Sequence, residues 1–312
     1  MTRAFIFPGQ GSQAAGMGRA LAEAFAPARQ VFQEIDDALS QKLSRLMWEG
    51  PETDLTLTEN AQPAIMAASL AIIRVLEEAG LDLARHARLV AGHSLGEYSA
   101  LCAAGSFTLA ETARLLKIRG QAMQAAVPVG QGAMAALIGM EIDAAEAACK
   151  DAASQGVCVV ANDNAPGQIV ISGAKAAVEK AGEIAKQHGA KRVIPLSVSA
   201  PFHCPLMQPA AERMRDALAQ VTIRPPAVPL IANVTATEAR EPETIRRLLV
   251  QQVTGRVRWR ESVASFRSLG IGTTVEAGGN KVLTGMVKRI DKELETITLD
   301  SPADIEAFAK AL

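Results

Sequence analysis

Residues 91–98 read AGHSLGEY, which sets Ser94 midway between Gly92 and Gly96. A G-x-S-x-G spacing suits a nucleophile elbow, in which the chain turns sharply from strand to helix and the missing side chains let the two pack closely. The hydroxyl is then held at a helix N-terminus, beside backbone N–H groups that can receive an oxyanion. A helix cap is the competing reading, because Ser94 and Glu97 also stand in S-x-x-E spacing. That reading gives the glycines no purpose, and a helical glycine at 96 would cost up to ~1 kcal/mol relative to alanine. The apolar RLVA before the motif and the helical pattern from Leu95 to Gly105 supply the strand and helix that an elbow needs.

A serine nucleophile requires a base. Of the four histidines, His86 lies in the charged ARHAR and His188 near a polar helix end, so both are expected in solvent. His93 adjoins the serine, but its side chain should leave the turn in another direction and bond locally. His203, in SAPFHCP, is the candidate base, with a buried structural histidine as the alternative. An arginine adds an independent clue. On a wheel of the 108–125 helix, Arg114, Lys117 and Gln121 share one side, while Arg119 falls among Leu115, Leu116, Ala122 and Met123. An inward arginine must find an anion, either an internal Asp or Glu or a substrate carboxylate that it grips bidentately. The wheel does not choose between them.

These residues need a scaffold. The 312 residues suffice for one large or two unequal domains. Hydrophobic residues make up 49% and aromatics 4%, so the core must come mainly from Ala, Val, Leu and Ile. A net charge of −1 gives no sign of a long nucleic-acid contact. Cys102, Cys149, Cys158 and Cys204 form neither a CxxC pair nor a His/Cys cluster, so neither a disulfide framework nor a metal site is expected, and reduced thiols in a cytoplasmic protein are. No apolar run reaches the ~18 residues of a membrane helix.

Strands are expected at 2–7, 88–91, 228–234, 272–277 and 296–299. Helices are expected at 17–26, 28–47 with a break, 60–79 capped by Asn60, 108–125 opened by a Thr108–Glu111 capping box, 205–220, 242–253, 259–268, 281–292 and from Pro302. The alternation points to an α/β fold, a mainly parallel sheet flanked by helices. Between 126 and 198 the order becomes β-α-β-β-α-β, with strands 157–162 and 167–173 joined by a DNAP turn. That order is the ferredoxin-like unit, here an insertion between core segments 1–125 and 199–312.

Seven stretches, FPGQGSQ, GHSLGEYSA, KIRGQAMQ, NDNAPGQIVISG, APFHCPLM, LIANVTA and KVLTGMVKRI, follow the order and spacing of the malonyl-CoA:acyl-carrier-protein transacylase family, which the chain resembles over essentially its whole length. The resemblance implies an α/β hydrolase-like core with Ser94 as acylated nucleophile and His203 as base. It implies that Arg119 holds the free carboxylate of malonate, and that Gln10 and the N–H of Leu95 form the oxyanion hole. It also implies that the carbonyl of Gln252 orients the histidine, although Gln251 is adjacent. Leu95 after the serine and Phe202 before the base resemble the malonyl-preferring pattern, Phe202 filling the volume of an α-methyl group. EAGGNKVL departs from the family's Gly-Pro-Gly turn.

The implied reaction is ping-pong transfer of malonyl from malonyl-CoA to the phosphopantetheine thiol of acyl carrier protein, with no cofactor, by a cytoplasmic monomer serving fatty acid synthesis. Two enzymes of the same build, a trans-acting polyketide acyltransferase and the malonyl-transferring subunit of malonate decarboxylase, are harder to separate. A serine esterase or lipase would share the elbow but pair its base with an aspartate and leave Arg119 without a task.

Overall fold

Gly92, two residues before Ser94, closes a strand in a sheet that is apolar on both faces. In the computed structural model, which describes residues 2–312, ten strands are found: β1 (Thr2–Phe7), β2 (Leu89–Gly92), β3 (Gly132–Ile138), β4 (Cys158–Ala165), β5 (Gln168–Ala174), β6 (Arg192–Pro195), β7 (Leu230–Ile231), β8 (Glu238–Ala239), β9 (Ile271–Ala277) and β10 (Glu295–Leu299). Six form a sheet in the order β10-β9-β1-β2-β7-β8, parallel except for the terminal β7–β8 pair. Along β1 and β2, Phe5, Phe7 and Val90 enter the larger apolar core, and Ala4, Ile6, Leu89 and Ala91 enter a second core with Trp259 and Phe266. This period of two, apolar on both sides, is what a helix-covered parallel sheet demands. The α/β class read from the sequence is the one observed.

The other four strands form an antiparallel sheet in the order β4-β5-β3-β6. Helices Ile142–Asp151 and Lys175–Gln187 pack on it around a separate apolar core that includes Leu137, Ile169, Ile171 and Val178. Strand β4 also docks on the larger sheet's side of the molecule. The Asp163 N–H donates to Val257 O at 3.0 Å, the Val257 N–H donates to Ala161 O at 2.8 Å, and Arg260 Nε meets the buried Asp163 carboxylate at 2.9 Å. Strand β4 runs to Ala165, past the expected end at 162, so most of the expected DNAP turn is strand. Register shifts in its pairing with β5 accommodate the extension, and it carries Asn162 and Asn164 to the cleft.

Several boundaries differ for tertiary reasons. The helix expected at 60–79 spans Thr58–Glu78, and Asn60 does not cap it. The Asn60 amide is engaged instead by Gln41, Lys117 and the Asp54 carbonyl. Nearly every side chain of that helix is buried, so it is a central helix rather than an amphipathic one. The 28–47 segment divides into Ala26–Leu39 and Leu43–Glu49. Of the expected strand 228–234 only Leu230–Ile231 pairs as strand, because Asn233 turns its amide toward the elbow. The Thr108–Glu111 capping box opens helix Leu109–Ala125 as expected. This helix approaches Thr58–Glu78 closely at Gly120, where a Cβ would lie 2.5 Å from Glu59 Cα. That approach brings the neighbouring Arg119 against Gln62.

Candidate active site

The strand–turn–helix at Ser94 is built on backbone contact. A Cβ at Gly92 would fall 1.9 Å from the Gly96 carbonyl oxygen, and one at Gly96 would fall 2.2 Å from that of Phe7. Only glycines permit this approach of β2, the following helix Gly96–Ala103 and the end of β1. Ser94 sits at φ 53, a left-handed conformation that costs energy in a residue with a Cβ. Asn233 holds it there: Oδ1 accepts from the Ser94 N–H at 2.8 Å and Nδ2 donates to Gly92 O at 2.6 Å. No side-chain cap opens the helix at Ser94–Glu97, so the capping-box alternative does not describe this turn. The Ser94 side chain points to His203 and that of Glu97 to Gln252.

Ser94 Oγ lies 2.8 Å from His203 Nε2. On the other edge of the ring, Nδ1 lies 2.8 Å from Gln252 O and 3.1 Å from Gly255 O. Carbonyl oxygens only accept, so Nδ1 carries the proton and Nε2 presents its lone pair to the serine hydroxyl. Among the described residues no carboxylate bonds the imidazole; two main-chain carbonyls orient it instead. Gln252 is 0% exposed, while Gln251 points to solvent. Burial pushes the His203 pKa down to about 3, and the Arg119 cation adds to the effect, with the carbonyl bonds opposing. The ring is therefore neutral at neutral pH.

Arg119 is 1% exposed. Nη1 donates to Gln62 Oε1 at 2.8 Å, and Nη2 donates to Gln252 Oε1 at 2.8 Å and to Ser94 Oγ at 3.1 Å. Among the described residues Nε has no partner and no carboxylate forms a salt bridge with the guanidinium. The inward direction read from the helix wheel is thus observed, and the internal salt bridge is not. Arg114 and Gln121 are exposed and Lys117 is half-buried on the opposite side.

The serine, histidine and arginine border one cavity of about 290 Å³. Gln10 and Leu95 line it next to Ser94, and the Leu95 N–H has no acceptor among the described residues. Phe202 (7% exposed), Met123, Met134, Val170 and Leu196 give the same cavity an apolar wall. The arrangement offers a hydroxyl bonded to a neutral base, a free N–H donor at Leu95 and a buried cation. It suits acyl transfer from a substrate with an apolar body and one negative charge.

Three contributors escaped the reading of the sequence. Gln62 bonds Arg119, Asn233 clamps the elbow, and Gly255 supplies the second carbonyl on His203. Gln62 had a signal, a polar residue within an apolar helical run, which a wheel would have shown. His93 was expected to bond locally; its Nε2 instead meets Asn164 Oδ1 on β4 at 2.8 Å, so it ties the elbow to the smaller sheet.

The sequence profile of the acyl transferase domain matches residues 4–300. The malonyl CoA-acyl carrier protein transacylase of Bacillus subtilis (strain 168) is 44% identical over 310 residues, which cover 99% of this chain and 96% of that protein. That of Escherichia coli (strain K12) is 43% identical over 304 residues, 97% of each chain. The crystal structure of acyl-carrier-protein-S-malonyltransferase from Bartonella henselae superposes with a TM-score of 0.98 at 57% identity, covering 100% of this chain and 99% of that one. A complex of a type II PKS acyl-carrier protein with its malonyl-transacylase, PlMCAT:AntF, has a TM-score of 0.97 at 42% identity and 100% coverage of both. With its elbow, its buried arginine and relatives that span nearly its full length, the chain belongs to the malonyl-CoA:acyl-carrier-protein transacylase family of acyl transferase domains.

Proposed function

We propose that this chain moves a malonyl group from malonyl-CoA to the phosphopantetheine thiol of an acyl carrier protein, through a malonyl ester on Ser94, to supply fatty acid synthesis. The observation that carries this reading is Arg119, a fully buried cation 3.1 Å from Ser94 Oγ with neutral acceptors around it. Among the described residues no carboxylate bonds the guanidinium directly, Glu97 acting on it only across the Gln252 amide, and the free carboxylate of a malonyl group supplies that contact in a geometry that guanidinium binds well. An esterase acting on neutral esters would give the guanidinium no anion to bind.

In the first half-reaction His203 Nε2 takes the Ser94 Oγ proton as Oγ bonds to the thioester carbonyl carbon. The carbonyl electrons move to oxygen, where the Leu95 N–H and Gln10 receive them. Collapse of that oxyanion breaks the C–S bond, and the imidazolium returns its proton to the departing thiolate of coenzyme A. In the second half-reaction the carrier thiol gives its proton to His203 and attacks the ester, and Ser94 leaves and is reprotonated. Gln252 O holds the imidazole throughout, Arg119 holds the acyl carboxylate, and Phe202 limits the space beside the α-carbon. No step needs a resident cofactor.

In this reading residues 1–125 and 199–312 are the catalytic core, and 126–198 form a subdomain that walls the cleft. The separate antiparallel sheet with its own apolar core supports that division. The protein acts as a monomer in the cytoplasm, apart from nucleic acid and membrane. The near-neutral net charge of −1 is consistent with this, and no helix among the described residues is long and apolar enough to cross a membrane. A polyketide-type carrier is the second reading, favoured by the likeness to PlMCAT, whose solved complex contains such a carrier.

The test is intact mass after incubation with malonyl-CoA, followed by addition of purified carriers. One malonyl group on the wild type, mapped to Ser94 and lost in Ser94→Ala, is expected, as is its transfer to fatty-acid-type carriers. Absence of the adduct refutes the serine mechanism. Transfer only to polyketide-type carriers establishes the second reading.

A further inference from the structure

The helix that follows Ser94 holds a carboxylate that the reaction above does not use. Glu97 is 1% exposed and forms a salt bridge with no cation among the described residues. Its Oε2 accepts from Gln252 Nε2, and its Oε1 accepts from the peptide N–H of Asn233 at 3.4 Å. Both oxygens therefore face donors.

The Gln252 amide is the other half of the arrangement. Arg119 Nη2 approaches one of its heavy atoms at 2.8 Å, and because arginine only donates, that atom must be the oxygen. The amide nitrogen is thereby committed to the far side, where its two hydrogens go to Glu97 Oε2 and, at 2.9 Å, to the Ser94 carbonyl oxygen. The side chain is 0% exposed, so water cannot replace a lost acceptor. The main-chain carbonyl of the same residue receives His203 Nδ1 at 2.8 Å.

We propose that Glu97 is a positioning residue for malonyl transfer. Its carboxylate fixes the Gln252 amide with oxygen toward Arg119, and so holds the guanidinium where the acyl carboxylate arrives. An ionised carboxylate accepts at both oxygens and cannot offer a hydrogen to the amide. A glutamine in its place can still accept from Gln252 through its oxygen, but its NH2 then faces the Asn233 N–H, itself a donor, so it keeps only one of the two contacts. Burial pushes the Glu97 pKa up to about 7, with the bonds from Gln252 and Asn233 opposing, so the assay is run above that range, at about pH 8. The inference rests on the malonyl-transfer reading above.

The test compares kcat/KM for Ser94 loading from malonyl-CoA and acetyl-CoA in the full-length protein. Glu97→Met, which keeps volume and removes both acceptors, is expected to lower the malonyl-to-acetyl ratio about tenfold or more, mainly through KM for malonyl-CoA. Glu97→Gln, which keeps the acceptor for Gln252 but not that for the Asn233 N–H, should give a ratio above that of Glu97→Met and below that of wild type. Gln252→Leu should lower the ratio similarly, and adding Glu97→Met to it should cause no further fall, since both changes break one linkage. An unchanged ratio in Glu97→Met overturns the proposal, as does additivity in the double variant. Should Glu97→Met not fold, an unchanged ratio in Gln252→Leu overturns it alone. A wild type that takes up no malonyl group refutes the transfer reading itself, whereas normal wild-type loading with unmoved ratios sinks only the role of Glu97.

Discussion

Replacing Arg119 with methionine keeps a long apolar stem and removes every donor. The guanidinium is buried, its Nε is without a partner, and its contact to Ser94 Oγ is long enough to yield to a better acceptor. An arriving carboxylate can therefore gain two charge-assisted hydrogen bonds, each worth ~1.5–3 kcal/mol. Their loss amounts to about 3–6 kcal/mol, a fall of about 10²–10⁴-fold in kcat/KM for malonyl-CoA. Acetyl-CoA has no carboxylate to lose. It should be loaded at least as well as by wild type, because the Arg119 cation also lowers the basicity of His203. Stopped-flow or quenched loading of Ser94, followed by mass, measures both rates. A malonyl-to-acetyl ratio that moves by less than about tenfold would refute the assignment of Arg119.

Three further outcomes are expected. Gly92→Ala sets a Cβ 1.9 Å from the Gly96 carbonyl oxygen, a backbone clash that should cost about 3 kcal/mol or more; an unchanged urea midpoint contradicts the close strand–helix contact. Because His203 is held down to about 3 from an ordinary 6.5, the unfolded chain binds a proton between those values that the native site refuses, and stability falls as pH falls through that window. Acidifying from about pH 7 to about pH 5 should remove roughly 2 kcal/mol through this group, a loss that His203→Gln escapes; parallel losses in the two proteins argue against a buried neutral imidazole. Phe202→Ala opens the cavity wall and should improve loading of methylmalonyl-CoA relative to malonyl-CoA by about 10–200-fold; no change would assign the discrimination to another residue.

Features governed by local geometry were legible in the sequence. Gly92 and Gly96 announce a turn that only glycines allow, and the wheel placed Arg119 inward because helical period alone fixes direction. The βαββαβ order foretold a second sheet for the same reason. Contacts between distant segments were not legible. Asn233 meets Ser94 across 139 residues and Asn164 meets His93 across 71, and neither has a local pattern. Asn60 looked like a cap because asparagine before an apolar run usually is one, yet tertiary partners claimed its amide. The end of β4 was misread because Asn, Asp and Pro are turn formers by propensity, whereas the docking of Asp163 on Arg260 and Val257 keeps that segment extended.

The two carbonyls that hold the His203 ring bear on how long an acyl-serine would survive. A ring steadied by neutral oxygens, rather than by an anion, gains little proton affinity from its support. Such a base takes a proton more readily from a thiol, with a pKa near ~8.5, than from the far less acidic water. Burial and the Arg119 cation keep the ring a weak base, and the two peptide oxygens offset this only in part, so the stored acyl group is given up to sulfur in preference to water and can wait for its carrier.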